Sequence, residues 1–173
     1  MAGVYGQPMI PKPALLAIAL LGLTGSPTFA RSYHLRNIEV VDPWTRPAHA
    51  GATAVGYMVL TNQGKGPVSL LSANTTAAKA ISLHQTTVAA GIATMAILPK
   101  GIVIPSGGSV SLSPGGYHMM LEKTVGPLVP GGLVPVNLVF SGGQNLRIDL
   151  EVRTGTGVAS PADAMAGMSG MNH

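Results

Sequence analysis

Short apolar runs separated by glycine-rich turns are the feature that most restricts the fold of this chain. Between residues 34 and 153 each apolar run is brief and is followed by turn-forming residues, as in segments 106–108 (SGG), 114–116 (PGG), 130–132 (PGG) and 141–143 (SGG). The runs predict strands over residues 35–41, 54–62, 68–73, 79–85, 92–98, 109–112, 117–122, 134–140 and 146–152. Many short strands with such turns are typical of a β-sandwich or barrel. Since no part of this region keeps a helical period for three turns, the sequence predicts an all-β domain.

Several of these strands alternate apolar and polar residues, which indicates that each sheet has one buried face. In segment 146–152 (LRIDLEV) apolar and charged residues exchange at every step, and segment 109–113 (SVSLS) has the same period. A β domain of this length buries enough surface to be stable without cross-links. The domain must be stable without disulfide bonds, because the chain contains no cysteine. That absence also excludes a thiolate copper centre, an iron–sulfur cluster and a thiol nucleophile.

The N-terminal segment has the pattern of a secretory signal peptide. An apolar run at residues 14–23 is followed by Thr28-Phe29-Ala30, which fits the small-x-small cleavage pattern. The run is much shorter than the roughly 20 residues of a membrane-spanning helix. We therefore expect residues 1–30 to be a signal peptide cleaved near Ala30, and the product to be periplasmic without a transmembrane anchor. An uncleaved N-terminal anchor is the alternative.

The C-terminal segment is predicted to be a flexible tail that could hold metal. Residues 154–173 have almost no large apolar side chains apart from Met, so the domain proper should cover residues 31–153. Met165, Met168 and Met171 recur at every third position, and His173 follows them. Thioethers suit Cu(I), and imidazole suits copper in either oxidation state. The tail is therefore a second candidate site, for Cu(I) and, through His173, for Cu(II). The alternative is a tail that contains Met by chance.

Charge and motif content argue against two classes of function. The net charge is +4, only 9% of the residues are charged, and the basic residues are scattered along the chain. A nucleic-acid surface would instead need clustered cations. The six acidic residues and the absence of a Gly-x-Ser-x-Gly motif or a Gly-rich phosphate loop argue against an enzyme. Asp149 and Glu151 alternate with core residues, so we interpret them as part of a solvated face.

The main metal signal in the domain is the pair His118 and Met120. Side chains alternate between the faces of a strand, so residues at positions i and i+2 point the same way. Met119 and Leu121 should then point into the core. A His and a Met side by side on one face can share a metal ion. The alternative is a solvent-exposed His beside a partly buried Met.

Two further candidates come from the preceding strands. His84 lies on the strand predicted at residues 79–85, where Leu83 suits the core face and His84 should project outward. An exposed His is ordinary on its own. Met95 lies on the next strand, and its position suits a core Met, a common filler of gaps, equally well. The combination of the four residues, and no single one, therefore carries the prediction. Zn²⁺ competes poorly for such a set because its sites favour His, Cys and carboxylate.

The spacing of these four residues resembles a known signature. His84, ten residues, Met95, twenty-two residues, His118, one residue and Met120 is similar to the pattern of the periplasmic copper chaperones called PCu(A)C. Segment 104–121 (IPSGGSVSLSPGGYHMML) resembles the most recognisable block of that family. Segments 42–46 (DPWTR) and 54–62 (AVGYMVLTN) resemble its N-terminal strands, so the likeness covers roughly residues 34–153. Residues 85–88 (QTTV) lack the extra Met that many members carry after the first His.

The resemblance implies a cupredoxin-like Greek-key β-sandwich. It also implies that two His and two Met hold Cu(I) near the surface, and that the protein delivers it to an acceptor in cytochrome c oxidase assembly, either a subunit or an assembly factor. The chain is accordingly expected to be a metallochaperone and not an enzyme. Two alternatives stay open: a periplasmic copper storage or resistance protein, and a structural β-sandwich module whose His and Met are incidental.

Overall fold

The computed structural model describes Gly3 and residues 31–155, and these residues form an all-β domain. The segments predicted as signal peptide (1–30) and tail (154–173) lie outside the described residues, apart from Gly3 and residues 154–155. The strands are β1 (Ser32–Leu35), β2 (Ile38–Thr45), β3 (Ala54–Asn62), β4 (Val68–Asn74), β5 (Ala78–Ala89), β6 (Ile92–Ile97), β7 (Ile102–Ile104), β8 (Ser109–Leu112), β9 (Tyr117–Thr124), β10 (Leu133–Phe140) and β11 (Gln144–Val152). No helix among the described residues is long and apolar enough to cross a membrane.

The strands form one sheet that folds over on itself. Their order is β6-β5-β9-β8-β3-β2-β11-β10-β4-β7, and β1 pairs with β2 outside this path. The far end of the sheet returns to its middle, where β4 contacts β5 and the Asn62 side chain on β3 donates a hydrogen bond to the Ile104 carbonyl on β7, at 3.3 Å. The two layers of the predicted sandwich are therefore two halves of a continuous hydrogen-bonded sheet.

The core lies between these halves and follows the predicted alternation. On β11 the apolar residues are buried from Ile148 to Val152, while the charged residues between them stay at the surface. The largest fully buried side chains, with less than 2% of their surface exposed, are Phe140, Met58, Leu60, Leu70, Ile102, Ile104, Leu112, Met119, Leu121, Leu138, Ile148 and Leu150. Burial of a side chain of this size contributes roughly 1.5–3 kcal/mol, which explains how the domain is held together without a disulfide.

The main differences from the predicted strands lie in three places, and the other strand ends differ by no more than two residues except at the end of β2, which extends to Thr45. The strand predicted over residues 35–41 is two strands, β1 and β2, joined at Arg36 with a φ of 53°. Strand β7 was not predicted; it follows Gly101, whose φ is 77° and whose added Cβ would lie within 2.1 Å of the Leu70 carbonyl oxygen. Only glycine fits there, because an L side chain is strained at that φ and would collide with the backbone. Strand β5 continues past Gln85 to Ala89.

A bulge in β2 is linked to the end of β11 by Arg153. The register of β2 against β3 shifts between Val41 and Trp44, where Asp42 has a φ of 51°. Nη2 of Arg153 lies 2.7 Å from Oδ1 of Asp42 and 2.9 Å from Oε2 of Glu151. Arg153 thereby ties the bulge to the end of β11, and its hydrogen bond lowers the pKa of Glu151.

Candidate metal centre

His84 and His118 lie directly opposite each other on neighbouring strands. In the antiparallel pair β5–β9 the two residues are register partners, and their ring centroids are 5.7 Å apart with planes inclined by 19°. Both side chains are on the face of the sheet that points away from the core, since Leu83 and Met119, one residue before and one after, are buried in it. His118 is only 6% exposed, which rules out a solvent-exposed His at this position.

Met120 lies on the same face as the two histidines. It is two residues beyond His118 on β9 and is the register partner of Ser82 on β5 and of Val55 on β3. Met119 and Leu121 are fully buried on the core side, as the alternation predicts. The register therefore places His84, His118 and Met120 in one patch of two adjacent strands.

Met95 also lies on this face and is not a core residue. On the edge strand β6 it is the register partner of Thr86, which is two residues beyond His84 along β5. Diagonal neighbours of this kind are roughly 7–8 Å apart, within reach of a long side chain. Met95 is 55% exposed, so the interpretation as a core Met is wrong. The four residues selected from the sequence thus share one face of three neighbouring strands.

Hydrogen bonds hold both imidazole rings, and one nitrogen of each ring has no hydrogen-bond partner among the described residues. Nδ1 of His118 lies 3.0 Å from the Gly116 carbonyl oxygen, and Nε2 of His84 lies 2.9 Å from Oγ of Ser82. Oγ of Ser82 also donates to Oε1 of Glu122, at 2.6 Å. Nδ1 of His84 is buried and has no hydrogen-bond partner among the described residues. Buried polar atoms are nearly always paired, so an unpartnered imidazole nitrogen is a good fit to a metal ligand.

The composition of the site restricts the metal. Within residues 31–155 no group of three or more His, Cys, Asp or Glu is placed so that it could hold a metal ion. The side chains that share this face with His84 and His118 include the thioethers of Met95 and Met120, which are soft donors and suit Cu(I). Two cavities lined by described residues lie away from this face. One, of about 340 Å³, lies beside Asn74, Pro135 and Arg147, and the other, of about 240 Å³, lies beside Arg46 and Arg153.

Two polar side chains near the histidines were not selected from the sequence. Ser82 is two residues before His84 on the same strand, so its place on the same face could be predicted from the sequence. Glu122 reaches Ser82 only because the register of β5 against β9 brings the two strands together, and no single-strand pattern reveals that. The other predicted metal ligands, Met165, Met168, Met171 and His173, lie outside the described residues.

Solved structures of PCuAC domains and of DR1885 have the same fold as this chain. The apo PCuAC domain from PmoF1 is 21% identical, with a TM-score of 0.61, and covers 72% of this chain and 100% of its own. The copper-bound PCuAC domain from PmoF2 is 24% identical, with a TM-score of 0.59, and covers 72% and 99%. The copper(I) form of DR1885 from Deinococcus radiodurans is 28% identical, with a TM-score of 0.52, and covers 67% and 78%. The fold of this chain is thus the cupredoxin-like β fold of these domains.

Sequence comparison gives the family. The family model described as “Putative lipoprotein LpqE-like” matches residues 38–152. “Putative lipoprotein Lxx21020” of Leifsonia xyli subsp. xyli (strain CTCB07) is 32% identical over 152 residues, which are 84% of this chain and 91% of that protein. The matched region runs from the first core strand, β2, to the last, β11, and includes every strand of the candidate metal centre. This chain therefore belongs to the LpqE-like lipoprotein family.

Proposed function

We propose that this chain is an exported copper(I) metallochaperone that binds its cargo through His84, Met95, His118 and Met120. The observation that carries the proposal is the strand register, which places all four side chains on one face of β6, β5 and β9. The sequence intervals alone do not require this, because a shift of one residue in either pairing would send a ligand to the opposite face.

The donor set suits transport of Cu(I). Two thioethers and two imidazoles form a neutral, soft site that prefers Cu(I) over harder ions. Because the chain has no cysteine, the site cannot be lost to disulfide formation, and it should bind less tightly than a thiolate site would. The copper-bound PmoF2 domain and the copper(I) form of DR1885 support copper as the cargo, since they share this fold.

Delivery is proposed to occur by ligand exchange with an acceptor protein. Met95 is more than half exposed at the rim of the site, so an incoming ligand can replace it first. The resemblance to PCu(A)C chaperones favours an acceptor in cytochrome c oxidase assembly.

Export is supported by the lipoprotein relatives. We propose that the exported chain is released into the periplasm after cleavage near Ala30.

Titration with Cu(I) against a chromophoric chelator tests the assignment. The mature wild-type protein should bind copper at the four-residue site, and the double variant His118→Ala/Met120→Ala should lose that binding. His34→Ala is a matched control, because this His is largely exposed on β1, away from the site. If the double variant binds Cu(I) as tightly as wild type, the ligand assignment is wrong; no copper uptake by wild type would leave the structural-module alternative.

The Met-containing tail is proposed as a second copper site. Met165, Met168, Met171 and His173 supply soft donors at regular intervals in a segment poor in other large apolar residues. Deletion of residues 160–173 should lower the copper stoichiometry while the affinity of the four-residue site is retained. An unchanged stoichiometry would remove the tail proposal. Several ions per chain in the intact protein would instead favour storage or resistance.

A further inference from the structure

We propose that Ser82 and Glu122 are positioning residues that orient His84, so that Cu(I) is bound by Nδ1 of His84 but by Nε2 of His118. The inference rests on the proposed function for the identity of the metal. The hydrogen-bond arrangement on which it depends is a property of the metal-free chain and can be measured separately.

The proton positions around His84 follow from the hydrogen-bond chain. Oε1 of Glu122 lies 2.6 Å from Oγ of Ser82, and a carboxylate can only accept. The single hydroxyl proton of Ser82 is therefore directed at Glu122. Oγ of Ser82 must then accept the second hydrogen bond, of 2.9 Å, from Nε2–H of His84. In a neutral imidazole with its proton on Nε2, the lone pair is on Nδ1. That is the buried nitrogen with no partner among the described residues.

The opposite arrangement holds at His118. Its Nδ1 lies 3.0 Å from the Gly116 carbonyl oxygen, which can only accept, so Nδ1 carries the proton and Nε2 carries the lone pair. The two rings face each other across the β5–β9 pair with centroids 5.7 Å apart. Each ring is thus held by a hydrogen bond at one nitrogen, and the two free nitrogens are of different types.

The strand register explains why Glu122 can reach this position. Glu122 is the register partner of Ala80, and Met120 is the register partner of Ser82, so Glu122 and Ser82 are diagonal neighbours on the ligand face. Glu122 also places a negative charge two hydrogen bonds from a site whose ligands are all neutral. This charge offsets part of the positive charge that Cu(I) brings. Outer-shell partners of this kind typically change metal affinity about 10- to 100-fold.

Nitrogen-15 NMR of the metal-free mature protein tests the proton positions directly. At a pH where both rings are neutral, long-range nitrogen–proton correlations should show the proton of His84 on Nε2 and that of His118 on Nδ1. On addition of Cu(I), the nitrogen shifts that change most should be Nδ1 of His84 and Nε2 of His118. A His84 proton on Nδ1, or copper-induced change at its Nε2, would overturn the proposal.

Copper titration of matched variants tests the role of the hydrogen-bond chain. Ser82→Ala should weaken Cu(I) binding about 10- to 100-fold, and Ser82→Thr, which keeps the hydroxyl, should restore it. Thr86→Val is the control, because it removes a hydroxyl two residues on the other side of His84 on the same face. Equal affinity of Ser82→Ala and wild type would refute the positioning role. If wild type itself bound no copper, the proposed function would fail while the NMR result still decided the proton positions.

Discussion

Met119 and Met120 are adjacent in the sequence, yet their replacement by Ala should affect different properties. Met119→Ala should lower the stability of the fold, and Met120→Ala should lower the affinity for Cu(I). Met119 is fully buried, and its methyl carbon lies 2.8 Å from the position that a Cβ on Gly56 would occupy. The side chain therefore fills space that a neighbouring glycine leaves open, and its truncation would create a cavity. Met→Ala at such a position costs about 2–5 kcal/mol. For a domain of this size that corresponds to a fall in Tm of roughly 8–20 °C.

Met120 lies on the opposite face, partly buried between Ser82 and Val55. Partial exposure of the side chain lowers the cost of truncation to roughly 1 kcal/mol, about half of the value for a fully buried side chain. Under the proposed function Met120 is a direct copper ligand, and its loss should cost at least the tenfold affinity that removal of an outer-shell partner costs. Met120→Ala should therefore lower the Tm by only about 4 °C and reduce the Cu(I) affinity at least about tenfold.

Thermal unfolding of the metal-free proteins and competition titration with Cu(I) measure the two effects separately. We expect Met119→Ala to unfold at a lower temperature but to bind copper normally below its Tm. Met119→Leu, which conserves most of the volume, should restore stability to within about 1.5 kcal/mol. The reasoning is refuted if Met119→Leu weakens copper binding as much as Met120→Ala does, because the two residues would then not lie on separate faces.

Two further predictions concern the rim of the site and the bulge. Met95→Leu should change the free energy of unfolding by no more than about 0.5 kcal/mol, since the side chain is 55% exposed, but should weaken Cu(I) binding in the same titration. Arg153→Met should cost about 1.5–3 kcal/mol at pH 7 in urea unfolding, through the lost ion pair with Asp42 and the lost hydrogen bond to Glu151. Because Arg153 lowers the folded-state pKa of Glu151, this stabilisation is present above the unfolded-state pKa and is lost as pH falls through the folded value. The gap between wild type and Arg153→Met should therefore narrow from pH 5 to pH 3, and a constant gap would contradict the ion-pair assignment.

The fold class and the common face of His118 and Met120 were predictable because both depend on the alternation within single strands. The relation of His84 to His118 was not, since it depends on the register between β5 and β9, which the sequence of one strand does not specify. Met95 shows the limit most clearly. Its strand, β6, contains Ile92 and Ile97 and has the composition of a core strand, but it lies at the edge of the sheet and is exposed along its whole length.

Local exceptions to the usual turn signals account for the missed boundaries. Arg36 takes a positive φ that glycine usually supplies, so the turn between β1 and β2 has no glycine to mark it. Strand β7 is three residues long, too short for a period to be visible. Its place in the core is fixed by pairing with β4, where Ile102 and Ile104 face Leu70 and Val68. Distant pairing of this kind determines such strands more than their own composition does.

The exposure of the four proposed ligands changes across the site in a way that suits transfer. His118 is buried, whereas Met95 is mostly exposed on the edge strand β6. Edge strands are usually protected by charged residues or proline, but residues 80–98 contain no charged side chain and no proline. Val88 and Ile97 lie exposed on the same face as Met95. Under the proposed function, an acceptor would approach over this uncharged rim and replace Met95 first, while the buried imidazole of His118 holds the copper until the new ligands are in place.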